Sequence, residues 1–428
     1  MRTPWQRALR WLQPGLRVKR WFALLLLGII VAALGAVLVL NLFAYELTIY
    51  TGGPWAASLW GAAAIAIGLA IVALSVRQVL RSVAQALLPD AGELVDVMWT
   101  RRRRAMGHSV VTVGGGTGLS YLLRGLKQRT ANLTAIATVS DDGGSSGRLT
   151  RDIPLLNLPP GDIRNCLVAL ADEEPMMTKL LQYRFDGDVG ELSGHSIGNL
   201  LIAALTDITG DFEQAVRETS RVLAIRGRVL PPTLQHVELC ARLVDGTMVR
   251  GETAITTSPQ AIDYVFLDPP APQAVPEALT AIAECDIVVI GPGSTFTSVV
   301  PNLLVKGVAE ALQNTKATRV FVCNVMTQPG ETDGFTASDH VAAIEKHIAE
   351  PVFDYVLLNT RRPDREVLER YSAAGAEFVE PDAAVIARMG YIPVEAALLS
   401  DDDWARHAPD KLTDAILRIV AEETKIGL

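Results

Sequence analysis

Val110-Val111-Thr112-Val113-Gly114-Gly115-Gly116-Thr117-Gly118-Leu119-Ser120 decides how this chain is read. A β-branched run stops in a glycine cluster, and Leu119, Leu122, Leu123 and Leu126 then recur at helical spacing. The pattern predicts strand, tight loop and helix. Glycine has no Cβ, so backbone in such a loop can come close to a phosphate. The helix start adds unpaired N–H groups and the positive end of its dipole. A nucleotide or phospho-ligand site is therefore expected, with a plain tight turn as the alternative. The loop lacks the Gly-Lys-Ser/Thr ending of a P-loop, and Leu119-Ser120 interrupts a Gly-x-Gly-x-x-Gly spacing.

Outward from this stretch, strands and helices alternate. Strands are predicted at 110–113, 135–139, 287–290, 320–325 and 355–358. Helices are predicted at 118–129, 164–171, 197–206, 211–223, 303–313, 338–348 and 410–423. Short apolar strands alternating with helices indicate an α/β fold with a doubly wound, mostly parallel sheet. The segment 234–267 differs: Val237–Leu243 alternates, Asp245-Gly246 makes a turn, and Met248–Ala254 follows, so a small β-hairpin is inserted.

The 428 residues split by charge. Residues 1–104 hold 12 Lys/Arg against 4 Asp/Glu, and the remainder holds 27 against 43. An acidic body excludes nucleic acid as the main partner. Residues 1–20 are basic, and 21–76 contain two long uncharged apolar stretches, interrupted by Glu46 and Gly52-Gly53-Pro54. Each is long enough for about 20 residues of bilayer span. Trp21, Tyr45, Tyr50, Trp55 and Trp60 stand where interfacial aromatics belong. A signal peptide does not explain a second span. Basic flanks at both outer ends predict an inner-membrane hairpin with both termini and the body in the cytoplasm. The divisions are a basic N-terminus (1–20), a two-span hairpin (21–76), an amphipathic basic linker (77–106) and an α/β domain (107–428). Cys166, Cys240, Cys285 and Cys323 lack metal-ligand spacing and are expected to be reduced core residues.

Several polar stretches carry candidate chemistry. Ser140-Asp141-Asp142-Gly143-Gly144-Ser145-Ser146 ends the second strand, where acids bind ribose hydroxyls or a metal. In Pro159-Pro160-Gly161-Asp162-Ile163-Arg164-Asn165, Asp162 reads as a helix cap, with Arg164 and Asn165 as candidate ligand contacts. Gly194-His195-Ser196-Ile197-Gly198-Asn199 opens another helix, and His195 is a candidate acid or base, or else a positioning residue. Gly291-Pro292-Gly293-Ser294 repeats the strand-to-glycine pattern as a second anion cradle, and Asn324–Thr332 is a polar loop after a strand. Ser338 reads as the cap of a helix carrying His340 and His347 on a solvated face.

In their order along the chain these motifs closely resemble those of the bacterial gluconeogenesis factor family (YvcK-like). That family lies within the 2-phospho-L-lactate transferase (CofD-like) superfamily. The resemblance spans about residues 108–420. It implies a Rossmann-like domain that binds UDP-sugars such as UDP-N-acetylglucosamine, with no required cofactor and no assigned reaction. It also implies a role in cell shape and cell-wall precursor supply under gluconeogenic growth. The implied ligand-binding set is Gly114, Gly115, Gly116, Thr117, Gly118, Asp141, Asp142, Ser145, Ser146, Asn199, Gly291, Gly293, Ser294, Tyr371 and Arg406. No catalytic or metal residue is assigned. A homo-oligomer and cell-wall synthesis regulators are further partners compatible with the resemblance.

Two enzyme readings compete with a binding protein. A phospholactate transferase would use Asp141 and Asp142 to hold Mg²⁺ and the glycine loops to hold phosphate, moving a phospholactyl group to a flavin-like acceptor. An NAD-dependent oxidoreductase would use Asp141, 27 residues after Gly114, on the ribose.

Overall fold

Val110–Gly114 (β1), Leu133–Ala137 (β2) and Ile287–Ile290 (β7) are buried along their whole length. That burial explains their mostly apolar composition, interrupted only by Thr112 and Thr134. The computed structural model describes residues 18–40, 54–87, 102–153, 155–171, 175–187 and 190–426. It divides the chain into two compact units, Met1–Arg102 and Arg103–Leu428.

In the larger unit β1 pairs in parallel with β2 on one side and β7 on the other. Arg228–Leu230 (β3) extends the β2 side. Thr318–Val322 (β8), Tyr355–Asn359 (β9) and Ile392–Ala396 (β10) extend the β7 side. The spatial order β10-β9-β8-β7-β1-β2-β3 is that of a doubly wound sheet, with its reversal between β1 and β7. Ligands of such sheets bind outside the strand carboxyl ends at that reversal. β3 and β10 were not expected from the sequence. Both are edge strands, one only three residues long and the other half-exposed with Pro393 inside, so neither has a strong apolar pattern.

The inserted hairpin is present as Glu238–Leu243 (β4) and Met248–Arg250 (β5). A third strand, Ile262–Asp268 (β6), pairs antiparallel with the other edge of β4. Ala254, expected in the second strand, lies instead in the helix Glu252–Thr256. Gly251, at φ 87, turns the chain into it. The expected helix 303–313 is two pieces, Val300–Leu303 and Val308–Asn314, separated by Gly307 at φ 95. Gly144–Asp152, where no helix was expected, is helical. Thr336, not Ser338, caps Ala337–His347. His340 and His347 are buried there rather than solvated. All four cysteines are free and buried.

The smaller unit pairs the helices Val18–Val39 and Pro54–Leu87. Within them Arg20–Val39 and Ser58–Arg81 are long and apolar enough to cross a membrane. The helices meet along a glycine seam. A Cβ on Gly35 would stand 2.6 Å from the Gly61 carbonyl, and one on Gly68 2.7 Å from that of Gly28. Small residues at such a seam let backbones approach and gain dispersion contact. Leu26, Leu34, Leu59, Trp60 and Leu69 stay exposed on the outside. The second helix runs unbroken past Arg77 and Arg81, so the start of the expected linker belongs to it. Residues 1–17, 41–53 and 88–101 lie outside the described residues. They include most of the basic N-terminus, Tyr45, Tyr50, Gly52-Gly53 and the middle of the linker.

Candidate functional site

The two glycine loops are fastened together at the sheet reversal. Gly291 N–H donates to the Val113 carbonyl at 2.8 Å. Asn302 Nδ2 donates to the carbonyls of Gly114 at 3.2 Å and Ser298 at 2.6 Å. Asn324 takes the Gly293 N–H on Oδ1 at 3.2 Å and donates from Nδ2 to the Gly293 carbonyl at 2.9 Å. A Cβ on Gly118 would lie 2.7 Å from the Pro292 carbonyl oxygen. Part of the glycine requirement is therefore packing of loop on loop.

A cleft of about 630 Å³ opens beside them. Of the expected set, Gly116, Thr117, Gly118, Asp141, Gly293, Ser294, Tyr371 and Arg406 line it. Gly114, Gly115 and Gly291 do not; they are the backbone beneath. At Gly115 the group that needs the missing Cβ is the Asp162 carboxylate. Asp142 also leaves the cleft. Its Oδ1 accepts the Thr253 N–H and hydroxyl, both at 3.0 Å, and so fixes the start of the Glu252–Thr256 helix. Asp141 therefore lines the cleft without Asp142, although both border a smaller adjoining cavity of about 300 Å³. Ser145, Ser146 and Asn199 are buried behind the wall. Ser145 Oγ lies 3.0 Å from Nδ1 of His195, which is itself buried and does not line the cleft.

Other lining residues carried weaker sequence signals. Asp162 is not a cap: Pro160 is the N-cap residue, and Asp162 turns from the first helical turn into the cleft. Tyr121 sits one residue past the quoted stretch. Asn324 and Gln328 come from the polar loop already singled out, whereas Glu252 had no sequence signal.

The cleft has two chemically distinct parts. One is acidic. Burial, followed by repulsion from Asp141 and Asp162, raises the Glu252 carboxyl to about 9. Burial raises Asp162 to about 6 against an opposing bond from the Gly116 N–H, and burial likewise raises Asp141. Glu331 sits behind them, pushed by burial to about 7, with Oε2 lacking a hydrogen-bond partner. At neutral pH this part mixes carboxyl donors with carboxylate acceptors, a set suited to hydroxyl groups.

The other part is aromatic and cationic. The Arg406 guanidinium lies 4.5 Å from the centroid of the Tyr121 ring and bonds its hydroxyl. Asp402 holds Arg406 from the outside at 2.6 and 3.0 Å. Tyr371 packs on a small apolar cluster of Val325, Met326, Leu399 and Ala405, separate from the main core. Away from the cleft, Glu238, Cys240 and Asp268 converge within 4.8 Å, but Arg250 bonds both carboxylates and takes the place of a cation.

Residues 110–399 match the family model for 2-phospho-L-lactate transferase CofD. The gluconeogenesis factor of Bacillus subtilis is 44% identical over 314 residues, covering 73% of this chain and 98% of its own. This chain belongs to the gluconeogenesis factor family. A Nostoc sp. relative in the family is 44% identical over 421 residues, 96% of this chain and 92% of its own. A crystal structure of a UPF0052-family protein from Bacillus halodurans superposes at TM-score 0.70 with 45% identity, covering 73% of this chain and 99% of that one. The Bacillus subtilis and Bacillus halodurans relatives match about three quarters of this chain over nearly their whole length, so in them the fold stands without a counterpart of the remaining quarter.

Proposed function

We propose that the cleft binds a nucleotide sugar, with UDP-N-acetylglucosamine as the first candidate. The protein would act as a membrane-tethered regulator of cell shape and cell-wall precursor supply during gluconeogenic growth. The observation that carries this reading is one cleft offering three kinds of recognition. Gly116–Gly118 and Gly293-Ser294 offer backbone donors and a hydroxyl for a diphosphate. Tyr121, Tyr371 and Arg406 offer planar surfaces for a base. Asp141, Asp162 and Glu252 offer donors and acceptors for sugar hydroxyls. The volume falls in the roughly 300–1,000 Å³ of ordinary small-molecule sites.

The relatives' name supports the gluconeogenic context, and the two apolar helices support the tether, with the body on the cytoplasmic side. The transferase alternative is not adopted, because only Asp141 of the two acids lines the cleft that the glycine loops border, while Thr253 holds Oδ1 of Asp142. The test is thermal unfolding of residues 103–428 with UDP-N-acetylglucosamine, UDP and N-acetylglucosamine. At about 100 times Kd the full ligand stabilises by about 2.7 kcal/mol and raises the melting temperature. No shift at millimolar ligand overturns the reading.

A further inference from the structure

We propose that Arg164 is the buried counter-charge of the cleft, acting through two amide relays that hold Asp141 and Asp162 as aimed acceptors. Arg164 is 8% exposed and, among the described residues, makes no direct ion pair. A charge so buried needs compensation. Here the compensation passes through side-chain amides. Nη1 donates to Asn199 Oδ1 at 3.0 Å, and Asn199 Nδ2 donates to Ser146 Oγ at 3.4 Å. The Ser146 hydroxyl in turn stands beside the Asp141 carboxylate, across the space that Gly161 leaves open, and favours its charged form. In the second relay Nη2 donates to Asn165 Oδ1 at 2.7 Å, and Asn165 Nδ2 reaches Asp162 Oδ1 at 3.5 Å.

The direction of both relays is set by chemistry. A guanidinium only donates, so each amide must turn its oxygen toward Arg164 and its N–H groups toward the acid. The second hydrogen of Asn199 goes to Ser145 Oγ at 3.1 Å, which leaves the Ser145 hydroxyl to donate to His195 Nδ1. Gly161 leaves the space open: a Cβ there would stand 2.5 Å from Ser146 Oγ and 2.9 Å from Asp141 Oδ2. Asp142, Glu252 and Glu331 add negative charge around the two acids, and Arg184 adds positive charge beside Arg164. Arg164 is thus the cation wired to both carboxylates. Its value for ligand binding rests on the nucleotide-sugar reading; the relay itself does not.

The test uses residues 103–428 labelled with ¹³C at aspartate carboxyls, titrated by NMR without ligand. Asp141→Asn and Asp162→Asn assign the signals. Asn199→Ala raises the Asp141 midpoint by about one pH unit and leaves Asp162 in place; Asn165→Ala does the reverse. Ser196→Ala removes a helix cap and an acceptor of Arg164 that leads to no carboxylate. It lowers the melting temperature and moves neither midpoint. Midpoints that move together, or stay fixed in the folded variants, overturn the relay. Binding of UDP-N-acetylglucosamine is then measured on the same samples. A wild type that binds none refutes the nucleotide-sugar reading, while the midpoints still decide the relay.

Discussion

Replacing Gly118 with alanine separates two roles of the glycine loop. Gly118 lies in the first turn of the helix Gly116–Arg129 and has no positive φ, so alanine is conformationally allowed. Helix propensity alone would favour alanine by about 1 kcal/mol. Against this, the new Cβ would meet the Pro292 carbonyl oxygen at 2.7 Å and its carbon at 3.0 Å. Even weak C–H···O contacts keep these atoms about 3.3–3.6 Å apart. The obstructing atoms are backbone, in a loop fastened by Asn302 and Asn324, so no side chain can swing away. Forcing such packing apart costs roughly 1–3 kcal/mol. The net expectation is a loss of about 1 kcal/mol, or a melting temperature lower by about 2 °C for a unit of this size. Loop separation also spoils the cleft, so nucleotide-sugar affinity falls about tenfold, equivalent to about 1.4 kcal/mol. Differential scanning fluorimetry and calorimetric titration of residues 103–428 read both quantities. A variant that melts higher than wild type, as propensity alone requires, with unchanged affinity would refute the loop-on-loop argument.

Three further outcomes are expected. Glu252 is protonated up to about pH 9 when folded but ionises near its ordinary value when unfolded, so its contribution to stability is complete at low pH and is lost as pH rises. Glu252→Gln should therefore gain stability relative to wild type between about pH 7 and 9, as read by denaturant unfolding; a constant difference across that window contradicts the assignment. Arg406→Ala removes the cation over Tyr121 and should weaken nucleotide-sugar binding roughly tenfold with little change in melting temperature. An unchanged dissociation constant excludes Arg406 from the ligand. Gly35→Leu places a side chain against the Gly61 carbonyl and should disrupt the paired helices, seen as lost cross-linking between cysteines introduced at Ala32 and Ile65. Retained cross-linking would show that the glycine seam does not hold the pair.

The runs at β1, β2 and β7 were legible because strands buried on both faces are predominantly apolar. The turn at Gly115 and the segment Gly291–Ser294 were legible because a strand that ends in glycines has few other uses, but Gly116 and Thr117, expected as loop, already belong to the helix Gly116–Arg129. Edge strands β3 and β10 escaped because they need no such composition. Asp141 and Asp142 show the limit of local reading: adjacent in sequence and chemically alike, only Asp141 lines the cleft, while Asp142 is held by Thr253. Glu252 reaches the same cleft from 111 residues beyond Asp141, at the end of the inserted sheet, where no local pattern marks it.

The sequence by itself therefore determined the strongly patterned central strands and helices, the two apolar helices and the glycine turns, since periodicity and glycine placement report on each segment's own backbone and faces. Tertiary structure alone decided which loops meet, because that follows from the reversal of strand order between β1 and β7. It also decided that Asn199, Ser145 and Ser146 stand behind the cleft rather than in it. A side chain's neighbours are fixed by the packing of distant segments, and that packing leaves no period in the sequence.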